Sequence, residues 1–392
     1  MHYRTMIPLA LCVLATTPAL AEQPLDCSSR SLADAVATVR EKDPVIRFTG
    51  ICAGPIVIQA DGVTLEGVGE AIIDGGGQDA VTIAGAGRAS LVALKVRNGA
   101  NGVVATAGGH VSLTDVNVHD NLASGIVLRT GSSALLTGVT TAQNGLHGLD
   151  VEGGSSAKVE GSLSVTGNGV FGINVNGSAL TVAGTVSATG NTLGVQIGTN
   201  ASAFLVNGAA TINASDNLAT GLTIVSGSQL VSFGGTINAS GNAGVGVSVN
   251  SRSGMDLDAG STLTLLNNGD GLLVQTGSVM TVFNTPQFSG APGFSTIDAR
   301  NNTRTGVRVL TDARVTLVNQ ARIISSQNGT IGFTADNGAG VTLVNSTISG
   351  NTAVDIQLTF GARADLRTLT FGSYTCDATV LVRGTSGITC PH

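Results

Sequence analysis

The chain has 392 residues, with 25 acids against 19 Lys and Arg for a formal net charge of −6, which is a poor match for a nucleic-acid binder. Length alone would allow two or three domains, but the composition argues otherwise. Fifty-five glycines, only eight prolines, no tryptophan and abundant Val, Ile, Thr, Asn and Ser make a strand-and-turn vocabulary.

The chain opens with MHYRTMIPLALCVLATTPALA, in which Arg4 precedes a largely apolar run from Ile7 to Ala15 and Ala19-Leu20-Ala21 closes the segment. This pattern predicts a secretory signal over residues 1–21, cleaved after Ala21. Cleavage removes Arg4 and no acid, so the net charge moves from −6 to −7. The apolar run is short for a bilayer, and no later stretch reaches about 18 uninterrupted apolar residues. The mature chain is therefore expected to be exported from a bacterium, to the periplasm or beyond, without membrane insertion. Residues 22–44 read as an N-terminal cap. Ser31-Leu32-Ala33-Asp34 resembles a capping box, Leu32, Ala35, Val36 and Val39 follow at helical spacing, and Pro44 stops the helix.

From residue 45 to 375 the sequence repeats. Asn98, Asn121, Asn144, Asn168, Asn191, Asn217, Asn242, Asn267, Asn302, Asn328 and Asn351 recur at intervals of 23 to 26 residues, with one interval of 35. A glycine usually lies four residues on, as in Gly125 and Gly148. The positions one and three after that glycine are apolar throughout, from Val103 and Ala105 to Phe333 and Ala335. The position between is mostly polar, as in Asp150, Asn174 and Gln196. Alternation at period two marks a strand with one buried face. A short strand recurring at this period cannot bury its apolar face alone, so successive units must stack. The expected fold is all-β, a single parallel β-helix of roughly eleven or twelve coils, about 50–60 Å long. Its asparagines would form a ladder at a tight turn, where their side chains tolerate a left-handed backbone.

With its opening coils DGVTLEGVGEAIIDGGGQDAVTI at 61–83, the chain resembles the pectin-lyase-like superfamily of right-handed β-helices. It looks most like the bacterial exported repeats grouped as carbohydrate-binding proteins and sugar hydrolases. The resemblance implies a right-handed solenoid with acidic polysaccharides as substrates along one face. The motifs of its polygalacturonases (N-T-D, D-D, G-H-G and R-I-K) are not matched. Leu146-His147-Gly148 supplies only half of one, and Arg322-Ile323-Ile324 lacks the lysine of another.

The 35-residue unit carries FNTPQFSGAPGFST, residues 283–296, expected to leave the coil as a loop bearing Phe283, Phe288 and Phe294. Four cysteines remain after signal cleavage. Ends some 50 Å apart cannot be bridged when disulfide Cα atoms lie within about 7 Å. Cys27 should therefore pair with Cys52, and Cys376 with Cys390 in a C-terminal cap over 376–392.

The outward positions concentrate hydrogen-bonding groups in one patch. Arg129, Glu152 and Asn176 should form one row, and Asp150, Asn174 and Gln196 another, with His147 in the preceding turn. These residues are the candidate ligand contacts. His147, Asp150, Glu152 and Arg129 are candidates for catalysis, as paired carboxylates for glycoside hydrolysis or as a cation and proton carrier for β-elimination. The bland alternative is a polar solvent face in which Arg129 and Glu152 form an exposed ion pair. Asp256-x-Asp258 reads as a solvated edge, and no metal site or cofactor is expected. Poverty in Trp and Tyr weighs against a processive enzyme. The expectation is a monomeric, non-catalytic β-helix that binds a polysaccharide or other surface macromolecule. A lyase or hydrolase on the same face and an adhesive rod are the alternatives.

Overall fold

A computed structural model describes residues 23–391 other than 41, 43, 86, 286–292 and 386. The expected signal segment and Phe288 lie outside the described residues. Each coil contributes three short strands, as in Leu149–Glu152, Ser156–Val159 and Ser162–Thr166, before Phe171–Asn176 opens the next. The first strands of the coils stack into a 14-stranded front sheet, from Ile56–Ile58 to Tyr374–Cys376. The second and third strands make up one 28-stranded back sheet. Val63–Asp74, long enough to pair with both Arg88–Val92 and Lys95–Arg97, joins its two faces. Pairing is parallel and in register, as where Leu149, Asp150, Val151 and Glu152 face Ile173, Asn174, Val175 and Asn176.

Fourteen front strands at about 4.8 Å make a rod about 60 Å long. The expectation of eleven or twelve coils falls short because the end coils carry no ladder asparagine. Ile56–Ile58 and Val81–Ala84 precede the first, and Tyr374–Cys376 follows the last. The two apolar columns face one continuous core: Val103, Ile126, Leu149 and Phe333 are fully buried, as are Ala105, Leu128 and Val151. Each such Val, Leu or Ile contributes about 1.5–3 kcal/mol.

The asparagine ladder is present, with its register corrected at two rungs. Asn144 donates its backbone N–H and its Nδ2 to Asn168 Oδ1, at 3.1 and 2.9 Å, and Asn168 repeats this toward Asn191. At the long coil the rung is Asn268 rather than Asn267: Asn242 donates to Asn268 Oδ1, and Asn268 N–H donates to Asn302. At the start Gly99, not Asn98, holds the rung position and donates to Asn121 Oδ1 at 2.8 Å. Asn98 and Asn267 belong to the column one residue earlier. That column, and not the ladder, takes the left-handed backbone, as shown by Asn98, Asp120, Gln143, Asp216, Asn267, Asn301 and Gln327, all with φ between 53° and 59°. A second, shorter ladder sits at the next corner, where Ser132 and Ser155 N–H donate to the hydroxyls of Ser155 and Ser178.

The N-terminal helix is Leu32–Ala37. Ser31 Oγ accepts from Asp34 N–H at 3.1 Å, and Leu32 and Val36 are buried against the first coil. The disulfides join Cys27 to Cys52 and Cys376 to Cys390, with Cα separations of 5.0 and 5.5 Å. Among the described residues no helix is long and apolar enough to cross a membrane.

The overlong coil departs from expectation in two respects. Phe283 does not leave the coil, since its N–H still donates to Leu257 O at 2.9 Å. Thr285 N–H still bonds within the coil, to Asp258, and the Phe294 ring lies 5.0 Å from the Arg322 guanidinium carbon. Asp258 is no solvated edge. It is 2% exposed and accepts from the N–H groups of Ala259 and Thr285, which fixes the base of the insertion. A buried carboxylate is tolerated where donors converge on it.

Candidate functional site

On the front sheet, Val127, Asp150, Asn174 and Gln196 fall in one row through the register of four neighbouring strands. Glu152, Asn176 and Gly198 form the row beside it. Alternation along each strand turns all of them away from the core. The middle row is less exposed than a flat face would make it. Val104 and Val127 are buried although they face outward, and Asn174 is only 6% exposed. The row is thus the floor of a shallow trough, which is why apolar residues are tolerated at its N-terminal end.

Within the trough the side chains form a chain of hydrogen bonds. Gln196 Nε2 donates to Asn174 Oδ1 at 3.1 Å, and Asn174 Nδ2 donates to Asp150 Oδ1 at 2.9 Å. Thr199 Oγ1 donates to Asn176 Oδ1 at 3.0 Å in the neighbouring row. The expected ion pair between Arg129 and Glu152 does not form. The strand ends at Leu128, so Arg129 enters the turn beside Thr130, whose φ is 58°. Arg129 is exposed and Glu152 half-buried, and neither side chain makes a hydrogen bond or ion pair among the described residues.

His147 stands at the corner where the chain enters the strand. Phe171 N–H donates to its Nδ1 at 3.4 Å, and the two rings lie 5.2 Å apart, tilted by 33°. A neutral ring that accepts at Nδ1 carries its proton on Nε2. Phe171, not among the candidate site residues, occupies the His147 position one coil on, in a column that runs Asn101, Ser124, His147, Phe171, Leu193 and Thr220; an aromatic ring one coil from the imidazole was the available signal. The corner beside it is apolar: Leu146 N–H donates to Ala123 O and Val170 N–H to Leu146 O, and Leu193 pairs in register with Phe171 on the next coil. Leu146 is 44% exposed. A polar trough therefore runs beside an apolar ledge.

Burial pushes the His147 imidazolium below its ordinary range, and the charges of Asp150 and Glu152 only partly oppose that. His147 should thus titrate below 6.5 in a nuclear magnetic resonance pH series. It should titrate lower still in the D150N/E152Q double variant, which removes both opposing charges. A rise in the double variant would show that the ring is not held as described. Among the described residues no group of three or more His, Cys, Asp or Glu is placed to hold a metal ion.

Residues 101–268 match the family model described as "Right handed beta helix region". No curated protein sequence matches the chain significantly. Among solved structures it is similar to a mannuronan C-5 epimerase A-module from Azotobacter vinelandii, at 15% identity and a TM-score of 0.41, covering 89% of this chain and 93% of that one. A periplasmic alginate epimerase gives 10% identity and a TM-score of 0.45, covering 86% and 84%. A pectate lyase gives 14% and 0.27, covering 89% and 72%. The fold is a parallel β-helix, and residues 101–268 match the right-handed form.

Proposed function

We propose that this β-helix is an exported, non-catalytic binding protein that holds an extended polysaccharide along the trough of its front sheet. Arg129, Asp150, Glu152, Asn174, Asn176 and Gln196 supply the polar contacts. The observation that carries the reading is the hydrogen-bonded row Gln196–Asn174–Asp150 lying beside the ledge of Leu146, Val170, Phe171 and Leu193. A pyranose ring presents hydroxyls around its rim and C–H groups on its faces, so a ligand of this kind meets the amides with one and the ledge with the other. The rungs repeat at about 4.8 Å, which suits a polymer better than a single small molecule. Asp150 has one oxygen engaged by Asn174, and His147 has one nitrogen engaged by backbone. That arrangement suits holding more than proton transfer. Four disulfide-forming cysteines support export to an oxidising compartment.

A second reading, a polysaccharide lyase or glycoside hydrolase, is favoured by one observation: the His147 ring sits in the field of two carboxylates. One experiment separates them. The mature protein is incubated with neutral and uronate polysaccharides, and both retention and new unsaturated or reducing ends are recorded. The binding reading expects retention on at least one glycan without product. N174A/Q196A should weaken that retention by about thirtyfold, since each of the two amide contacts is worth about 1 kcal/mol. Turnover that is lost in Asp150→Asn or His147→Ala would overturn it.

A further inference from the structure

A second surface, dominated by cations, lies on the back sheet near the C-terminal end, where a groove of about 350 Å³ is lined by Arg314, Arg363 and Arg383 with Thr316, Thr342 and Asp365. Register explains its shape. Arg314, Gly340 and Arg363 are consecutive in one outward row, and Thr316, Thr342, Asp365 and Arg383 in the next. Gly340 has no side chain, so a gap opens between two arginines held two strands apart, about 9.6 Å. A Cβ built at Gly340 would lie 3.4 Å from Arg314 Cγ, so the Arg314 side chain runs along the gap.

The nearby acids leave these cations unneutralised. Asp365 is gripped by Arg367 through two contacts, at 2.9 and 2.6 Å. Asp312 sits behind Gly338 at the turn. Arg314, Arg363 and Arg383 make no ion pair among the described residues. Three unpaired guanidinium groups on a chain of net charge −6 are an arrangement that solvation alone does not require.

We propose that this groove binds a carboxylated polysaccharide, with successive carboxylates taken by Arg314 and Arg363 across Gly340 and by Arg383 in the adjoining row. Arginine forks fit carboxylates in a two-point geometry. The threonine hydroxyls between them face the ligand's own hydroxyls. A single-stranded nucleic acid fits less well, because no aromatic side chain lines the groove to take a base. The site is on a different sheet from the front trough and does not depend on that reading.

The test uses the mature full-length protein and polygalacturonate oligomers, with neutral dextran, dextran sulfate and duplex DNA as comparison probes. Polygalacturonate should bind at low ionic strength and be released as salt is raised, because the contacts are exposed charges. R314Q/R363Q/R383Q should weaken binding by at least about tenfold. Gly340→Gln should do the same by filling the gap. The strand backbone there accepts a side chain, so thermal melting should show that this variant is still folded. Arg252→Gln, which removes an exposed arginine outside both surfaces, should leave polygalacturonate binding unchanged. The proposal fails if the oligomers do not bind, or if binding survives both groove variants. It also fails if dextran sulfate or DNA binds as well as polygalacturonate. Loss of binding in N174A/Q196A alone would move the acidic ligand to the front trough and overturn the groove.

Discussion

Asn168→Ala is expected to lower the free energy of unfolding by on the order of 3–5 kcal/mol, because it removes one side chain and strands several buried partners. Asn168 Oδ1 accepts from the N–H and the Nδ2 of Asn144, and Asn168 Nδ2 donates to Asn191 Oδ1 at 3.0 Å and to Thr141 O at 3.4 Å. All of these groups are out of contact with water, so none can re-pair with solvent. Asn98→Ala is the control. It sits in the left-handed column, where alanine costs about 1–2 kcal/mol in backbone strain, and its side chain makes one exposed hydrogen bond, from Nδ2 to Asp74 Oδ2 at 2.8 Å. Chemical denaturation measures both. Equal losses would mean that turn conformation, and not the ladder, holds the corner. Each coil touches only its neighbours, so the damage should begin as local opening around coils 144–191, visible as faster amide exchange there.

Asp355→Asn should be nearly as damaging, although asparagine is the residue at the other rungs. Asp355 is 3% exposed and closes the ladder as a pure acceptor. Its Oδ1 takes Asn351 N–H and Nδ2 at 3.1 and 2.8 Å, and its Oδ2 takes Gly372 and Ser373 N–H at 2.7 and 3.0 Å. An amide there would aim an NH₂ group at two backbone donors. Hydrogen bonds to a charged group are worth about 1.5–3 kcal/mol each, so losing two and opposing their donors should cost about 3–4 kcal/mol. The same site sets a pH dependence. Burial raises the Asp355 carboxyl, but the four hydrogen bonds outweigh burial and hold it below its ordinary 3.8. Its stabilisation is therefore fully present above about pH 4 and is lost as pH falls through the lowered value. Denaturation midpoints of the native protein should drop in that acid range, and those of the variant should drop less. Parallel acid limbs in the two proteins would remove Asp355 from the account.

The parts of this fold that were legible in the sequence are those set by period-two burial. The columns led by Val103 and Ala105 could be read as inward because a solenoid core is dry, and nothing polar survives there without a partner. The two cystine pairs followed from the distance between the rod's ends. The misread rungs have a local cause. Asn98 and Asn267 are asparagines because a left-handed backbone favours that residue, and Asn121 or Asn168 because a buried corner needs both a donor and an acceptor. Two physical demands choose one amino acid, and spacing alone does not tell them apart. Asp258 was taken for solvent-facing because one of the two donors that satisfy it, Thr285 N–H, comes from 27 residues away in the overlong coil. In the candidate site, register correctly brought Asp150, Asn174 and Gln196 together. The trough was not legible, since depth depends on how far the flanking turns project. Nor was the separation of Arg129 from Glu152, which follows from the strand ending one residue early.

The ladder also runs one way along the rod. It begins at the Gly99 backbone, passes donor to acceptor from rung to rung (at Asn268 through the backbone N–H alone), and stops at a carboxylate that can only receive. An interior rung hands on what it is handed, so a whole coil could be duplicated or deleted between Asn144 and Asn242 without leaving a mismatch. Gly99 and Asp355 admit no such exchange. Size is the adjustable quantity in this architecture and its termini are the constant ones, which makes the number of turns a natural route by which such a scaffold changes reach.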